Sequence, residues 1–286
     1  MARTPGIDVS YWQGAIDWAQ VAAAGWKYAF IRATMGTRPT DVDENFYANW
    51  DGARSAGLLV SPYLLVKPDL SGAAQAERLM ITMGERKSDL PIALDVELTE
   101  DQLPDVVSAV LQDIIAYITT HEGRAPVIYT RKSFWDPNVL AGAQWAACDL
   151  WVAHYGVESP AIPRDWTAWK FWQWSSTEQV PGVGSANCDA NWFDGSYEDL
   201  LAYARRESAP LPLPVREVEI NLKARVLVTE LRVRSGPGLD HPQVDSLHAD
   251  DVVNITDING SDVWVEVAPG KWAAFIFQGQ KMMRLE

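Results

Sequence analysis

The 286-residue sequence is poor in the residues that carry thiol and metal chemistry, with two cysteines, Cys148 and Cys188, and four histidines. So few cysteines exclude a disulfide-stapled mini-domain and a multi-cysteine zinc protein, and leave open whether the two pair. The histidines are scattered, with no HExxH and no paired Cys/His spacing, which argues against a zinc hydrolase. Basic residues are also short: 24 Lys and Arg against 38 Asp and Glu leave a formal net charge of -14. Nucleic acids and anionic membranes are bound through basic surfaces, so neither is an expected partner. No apolar run is long enough to span a bilayer, and the opening "MARTPGIDVS" lacks the hydrophobic region of a signal peptide. The expectation is a soluble protein made in the cytoplasm.

Tryptophan, by contrast, is abundant, with 14 residues. Two uses compete: core filler, or a groove of flat faces that stack on sugar rings or apolar ligands. Up to about residue 206, short apolar runs alternate with helical patterns. Strands are expected at "GIDVSYW" from Gly6, "YAFIRAT" from Tyr28, "GLLVSPYLLV" from Gly57 and "PIALDVEL" from Pro91. Four more are expected at "PVIYT" from Pro126, "DLWVAHY" from Asp149, "WKFWQWS" from Trp169 and "SANCDANWF" from Ser185. Amphipathic helices are expected at "IDWAQVAAAG", "ENFYANWDGARSAG", "AAQAERLMITMG" and "LPDVVSAVLQDIIAYITTH", the first two closing at glycines suited to helix C-caps. After residue 150 the linking helices shrink. The pattern is that of an α/β protein, a parallel TIM-like (β/α) barrel with fewer than eight helices. An open doubly wound sheet is the alternative, but no glycine-rich phosphate loop follows the first strand.

"ESAPLPLPVREVE" alternates proline with apolar residues and reads as an extended linker, 207–221. Beyond it, 222–286 has short β-type runs, turn signals such as "SGPG", "NGSD" and "PGK", and no convincing helix: a small all-β barrel.

In "PIALDVEL", Asp95 and Glu97 sit two positions apart and so share one face of a strand. Parallel barrels gather their chemistry where strands end. Asp8 lies in the first run and Asp189 in the eighth, which closure places beside it, so four carboxylates are expected at one mouth. Crowded negative charge makes the next ionisation harder, so at least one carboxyl should keep its proton to higher pH. A protonated acid beside ionised ones is what cleavage of a glycosidic bond requires. Glu97, with the longer reach, is the candidate acid. A Ca²⁺ or Mg²⁺ site is the competing use of four carboxylates, without the loop spacing such sites show; no metal or other cofactor is expected. A thiol enzyme using Cys148 with His154 or His121 is a further alternative, but "QWAACDLW" resembles the start of a core strand. Trp12, Tyr63, Tyr129, Trp151, Tyr155, Trp172 and Trp174 fall near expected strand ends, where a groove would open, and about half should instead face the helices.

In order along the chain, "GIDVSYWQGAIDW", "YAFIRATMGT", "NFYANWDGARSAGL", "LDVEL", "VIYT", "LWVAHY", "FWQWSS" and "VPGVGSANCDANWF" resemble glycoside hydrolase family 25 muramidases, over residues 5 to 205. The resemblance implies a flattened barrel and hydrolysis of the β-1,4 bond between N-acetylmuramic acid and N-acetylglucosamine in peptidoglycan. It implies Glu97 as proton donor, Asp95 as its partner, and Asp8 and Asp189 as further acids. Tyr63, Tyr129, Trp151, Tyr155, Trp12 and Gln173 are the candidate substrate-binding residues. Two positions depart from the family pattern: Met35 stands where Glu is usual, and Leu64 and Leu65 stand where His-Phe is usual. If Asp95 and Glu97 lie too close to admit a water, retention is expected, through a covalent intermediate or through the substrate's acetamido group oriented by Asp95; inversion is the alternative. The C-terminal "LRVRSGPG", "WVEV" and "KWAAFI" resemble a bacterial SH3-like domain, which implies binding of wall peptide or glycan. The combined expectation is a monomeric, endolysin-like muramidase that reaches the wall after release from the cytoplasm. A non-catalytic glycan receptor is the rival.

Overall fold

The computed structural model describes residues 2–205, 222–236, 241–255, 257–259, 264–268, 271–277 and 280–285. Two compact units divide the chain, Met1–Pro214 and Val215–Glu286. The expected linker at 207–221 lies outside the described residues.

In the first unit eight strands close into a barrel in sequence order: β1 (Arg3–Val9), β2 (Tyr28–Thr34), β3 (Leu59–Leu65), β4 (Ala93–Asp95), β5 (Val127–Thr130), β6 (Leu150–Ala153), β7 (Phe171–Glu178) and β8 (Cys188–Asp194). Neighbours from β1 to β7 run parallel. β8 does not: it is antiparallel to both β7 and β1, which corrects the all-parallel expectation. Only residues 179–187 separate β7 from β8. A parallel return needs a crossover of a dozen or more residues, so this short link can only turn the chain back.

Six α-helices occur among the described residues: α1 (Trp18–Ala23), α2 (Phe46–Ser55), α3 (Gly72–Met83), α4 (Pro104–Glu122), α5 (Lys132–Asn138) and α6 (Tyr197–Ala204). Their ends follow local chemistry. Asp17 and Ser71 accept the backbone N–H of Gln20 and Ala74 at the starts of α1 and α3, and Ser196 and Asp199 form a reciprocal capping box on α6. α4 has Pro104 in its first turn and stops at Gly123 in the left-handed region (φ 63°).

Period-two alternation sorts the strand residues into two layers. Ile7, Val9, Ala29, Ile31, Leu64, Leu94, Val96, Ile128, Leu150, Val152 and Trp172 face outward into the core shared with the helices. Tyr28, Phe30, Ala93, Val127, Trp151, Phe171 and Phe193 fill the barrel's interior. Phe30 lies stacked on Trp151 with centroids 4.3 Å apart, and Phe171 meets Phe30 edge-on at 5.1 Å. The barrel is therefore plugged by aromatic rings, and an inward residue one step nearer the strand ends sits above this floor.

Tryptophan serves mostly as core. Trp18, Trp50, Trp135, Trp145, Trp151, Trp166 and Trp172 are all buried, whereas Trp12 is 69% exposed. Cys148 and Cys188 are buried free thiols, and burial pushes both above the usual thiol range, Cys148 to about 12. Cys148 packs in the outward core, so the thiol-nucleophile alternative lacks an accessible sulfur.

Among its described residues the second unit contains a five-stranded sheet, a three-stranded sheet and a two-stranded ribbon. The strands are β9 (Leu222–Val226), β10 (Glu230–Arg234), β11 (Gln243–His248), β12 (Val252–Ile255), β13 (Asp257–Asn259), β14 (Trp264–Ala268), β15 (Lys271–Ala274), β16 (Ile276–Phe277), β17 (Gln280–Lys281) and β18 (Met283–Leu285), in the orders β11-β10-β15-β14-β13, β12-β9-β18 and β16-β17. Ala224, Val226, Leu231, Val233, Val265, Ala273, Ala274 and Met283 make its core.

Candidate active site

The alternation that buries Ile7 and Val9 outward turns Asp8 inward, near the end of β1. Asp95 occupies the same level at the end of β4, and Glu97 follows two residues later, just beyond the strand. Asp189 stands near the start of β8, and the antiparallel direction of that strand brings it level with Asp8, its register partner. Had β8 run parallel, a residue near its start would face the opposite end of the barrel.

All ten expected site residues line one cavity of about 280 Å³: Asp8, Asp95, Glu97, Asp189, Tyr63, Tyr129, Trp151, Tyr155, Trp12 and Gln173. Ser10, Gln13, Arg32 and Leu65 complete its wall. Trp172 and Trp174, also noted at strand ends, do not line it; Trp172 points outward and donates its indole N–H to the His154 carbonyl at 2.8 Å. Trp151 is almost fully buried and forms the floor. Trp12 is the exposed flat face at the rim, with its ring 4.5 Å from that of Tyr11. Of the residues at the positions that depart from the family pattern, Leu65 contributes apolar lining, Leu64 is buried in the outer core, and Met35 is part-exposed beside Tyr11, Arg32 and Asp43 in a separate hollow.

The four acids are not equivalent. Asp8 is buried, and its Oδ2 accepts hydrogen bonds from Gln173 Nε2 at 2.9 Å and Asn191 Nδ2 at 2.8 Å. Burial pushes its carboxyl up to about 6, against these two amides, which pull it down. Asp189 is pushed up to about 8, first by burial and then by the charges of Asp8 and Glu97. Asp95 lies well above the usual carboxylate range, first from burial and then from Glu97 and Asp8, with Arg32 opposing. Its Oδ1 is buried with no hydrogen-bond partner among the described residues. Glu97 differs: its side chain is 32% exposed and its Oε2 accepts from Arg131 Nη2 at 3.2 Å. The cluster can thus hold protons inside while one carboxyl faces solvent.

A polar network supports it. Tyr129 and Tyr155 both donate to Gln173 Oε1, at 2.9 and 2.5 Å. Arg32 is bound to Asp43 at 2.8 Å and lies over the Tyr11 ring at 4.8 Å, so its charge is fixed at the cavity wall. Asn191, Arg32, Asp43 and Arg131 were not singled out from sequence. Asn191 stands two residues from Asp189 on one strand, the same signal that linked Asp95 to Glu97, and Arg131 directly follows the end of β5. A wider hollow of about 650 Å³ adjoins the cavity through Tyr155 and is lined also by Arg131, Lys132, Ser133, His154 and Ala161. No group of three or more His, Cys, Asp or Glu among the described residues could hold a metal ion.

The profile described as Glycosyl hydrolases family 25 matches residues 7–183. Lysozyme M1 of Streptomyces globisporus is 38% identical over 217 residues, covering 70% of this chain and 70% of that protein. The crystal structure of the bacterial lysozyme from Streptomyces coelicolor is similar with a TM-score of 0.68 and 35% identity, over 73% of this chain and all of that one (100%). The muramidase from Acremonium alcalophilum follows with a TM-score of 0.63 and 30% identity, over 70% of this chain and 98% of that one.

Proposed function

The chain belongs to glycosyl hydrolases family 25, and from that premise we propose how its four acids divide the work. It is a glycoside hydrolase that acts on peptidoglycan, cleaving the β-1,4 bond between N-acetylmuramic acid and N-acetylglucosamine. The observation that carries this reading is the convergence of Asp8, Asp95, Glu97 and Asp189 on one cavity above an aromatic floor.

Glu97 is the proton donor. Its side chain is 32% exposed, so it can recover its proton from water between turnovers, and Arg131 engages Oε2, which leaves Oε1 for the glycosidic oxygen. Asp95 sits behind it with an unpartnered buried oxygen, placed to accept the N–H of the sugar's acetamido group and hold that group against the anomeric carbon. Negative charge on Asp8 stabilises the oxocarbenium-like transition state. Trp12 supplies a stacking face at the rim, and the hollow past Tyr155 gives the glycan strand room to continue.

The C-terminal unit is an SH3-like module that holds wall peptide or glycan; "LRVRSGPG", "WVEV" and "KWAAFI", together with the short strands among its described residues, support this. Tethering to an insoluble polymer raises the effective concentration of the barrel there. The protein works as a monomer, in the manner of an endolysin that meets the wall after release from the cytoplasm.

Digestion of purified peptidoglycan followed by borohydride reduction and mass spectrometry tests the activity. Reduced muramic acid ends are expected. Reduced glucosamine ends would place the cut at the other linkage, and binding without new ends would establish a receptor.

A further inference from the structure

Asp8 and Asp189 are register partners across β1 and β8, and both line the cavity. Two carboxyls on directly paired strand positions resist joint ionisation, so one of them holds a proton. Which one decides what the pair presents to a sugar.

The surroundings of Asn191 answer this. The residue is fully buried; Trp151 Nε1 donates to its Oδ1 at 2.8 Å, and its Nδ2 donates to Asp8 Oδ2 at 2.8 Å. An indole nitrogen can only donate, so the amide cannot be turned over: its oxygen must face Trp151 and its NH₂ must face Asp8. Gln173 repeats the arrangement on the same oxygen, with the Tyr129 and Tyr155 hydroxyls on Oε1 and Nε2 directed at Asp8 Oδ2. Two N–H donors on one carboxylate oxygen favour its charged form. Asp189 receives no such donor from the described residues. Asn191 does not line the cavity, so it acts through Asp8.

We propose that Asn191, oriented by Trp151, is a positioning residue that keeps Asp8 ionised and thereby places the shared proton on Asp189. The mouth then offers the sugar a fixed anion next to a neutral hydroxyl donor. The higher titration range of Asp189 relative to Asp8 agrees with this assignment. Among other groups around Asp8, the negative charge of Glu97 disfavours its ionised form, so the amides must outweigh it, while Asp95 lines the same cavity with its own carboxyl raised by burial. The phenols of Tyr28, Tyr63, Tyr129 and Tyr155 and the Cys188 thiol are kept neutral by burial, and Arg32 is engaged by Asp43. The inference rests on Asp8 and Asp189 belonging to the hydrolytic site, but its test needs no substrate.

Carbon-13 NMR of the full chain with carboxyl-labelled aspartate, titrated from pH 4 to 9, reads the two groups directly, with Asp8→Asn and Asp189→Asn supplying assignments. Near pH 7 the Asp189 signal is expected at the position of a neutral carboxyl and the Asp8 signal at that of a carboxylate. Asn191→Leu should raise the Asp8 midpoint by about one pH unit or more, and the acid limb of kcat/KM should move the same way. Trp151→Phe removes the orienting N–H while keeping an aromatic ring at the floor, and should give a smaller shift in the same direction, which covers the case in which the leucine variant fails to fold. A carboxylate signal for Asp189 beside a neutral Asp8, or an Asp8 midpoint that neither variant moves, overturns the proposal. If the native protein shows the expected titration yet releases no sugar ends, the functional reading fails and this assignment stands.

Discussion

At the scale of single residues, the four acids were legible because strand periodicity is a strict rule: once "PIALDVEL" is a strand, Asp95 and Glu97 share a side, and Ile7 and Val9 facing outward force Asp8 inward. The same rule applied to Asp189 would have reached Asn191. From sequence alone an amide inside an aromatic-rich strand reads as a satisfied core polar group, and its partner Trp151 is remote in sequence. The different surroundings of the four acids were not legible, since they depend on which oxygen meets which donor across strands. Trp12 is where a residue-level prediction is sharpest. It is 69% exposed and supports no core, so Trp12→Ala should leave stability within about 0.5 kcal/mol. If its face carries a sugar, KM for glycan fragments should rise roughly fivefold with kcat little changed, in line with about 1 kcal/mol for a stacking contact. Steady-state kinetics on soluble fragments separates the two constants, and an unchanged KM removes Trp12 from the binding surface.

At the scale of elements, the number and order of the barrel strands could be read from alternating apolar runs, and four of the helices from amphipathic spacing, the first two closing at Gly25 and Gly57. α5 went unseen because "KSFWDPN" is short and holds a proline. The direction of β8 escaped because alternation looks the same in either direction; the short link at 179–187 was the available clue. That link is pinned to the start of α1, where Asp17 N–H donates to the Gly182 carbonyl at 2.8 Å. Gly182 has φ +92°, and a Cβ there would lie 2.3 Å from the Asp17 carbonyl oxygen. Gly182→Ala should therefore destabilise the barrel by about 1–3 kcal/mol. Because the link sets where Asp189 stands, activity at a temperature well below unfolding should fall too. Thermal melts beside rate measurements decide this; a variant as stable and active as the native chain would show that the link does not constrain β8.

At the scale of the whole molecule, burying acids ties stability to pH. Asp8 and Asp189 titrate at about 6 and about 8 in the folded barrel against an ordinary value of 3.8, and Asp95 is raised as well. Between these limits the native state binds more protons than the unfolded chain, so stability is highest at the acid side of the window and falls as pH rises to about 8. Asp17, Asp41, Asp136 and Asp199 are held below the usual range, so below about pH 4 the sign reverses and acid destabilises. Urea unfolding of the barrel should show greatest stability near pH ~4–5, with a decline toward pH 8 that Asp189→Asn makes shallower. Stability that climbs steadily from pH 5 to 8 would mean the acids are solvated. A chain ended after residue 205 should still cut soluble glycan fragments while losing most of its activity on intact walls, measured by turbidity; equal wall activity would leave the C-terminal unit without a binding role.

The central claim is that Glu97 delivers the proton to the departing sugar oxygen. The most direct measurement compares Glu97→Gln with the native protein on two substrates: peptidoglycan, whose leaving sugar needs a proton, and an aryl glycoside of the muramoyl unit, whose nitrophenolate leaving group does not. The account predicts a loss of roughly 10²–10⁴-fold on peptidoglycan and a far smaller one on the aryl glycoside. Equal losses on both substrates would contradict it and assign the proton to another of the four acids.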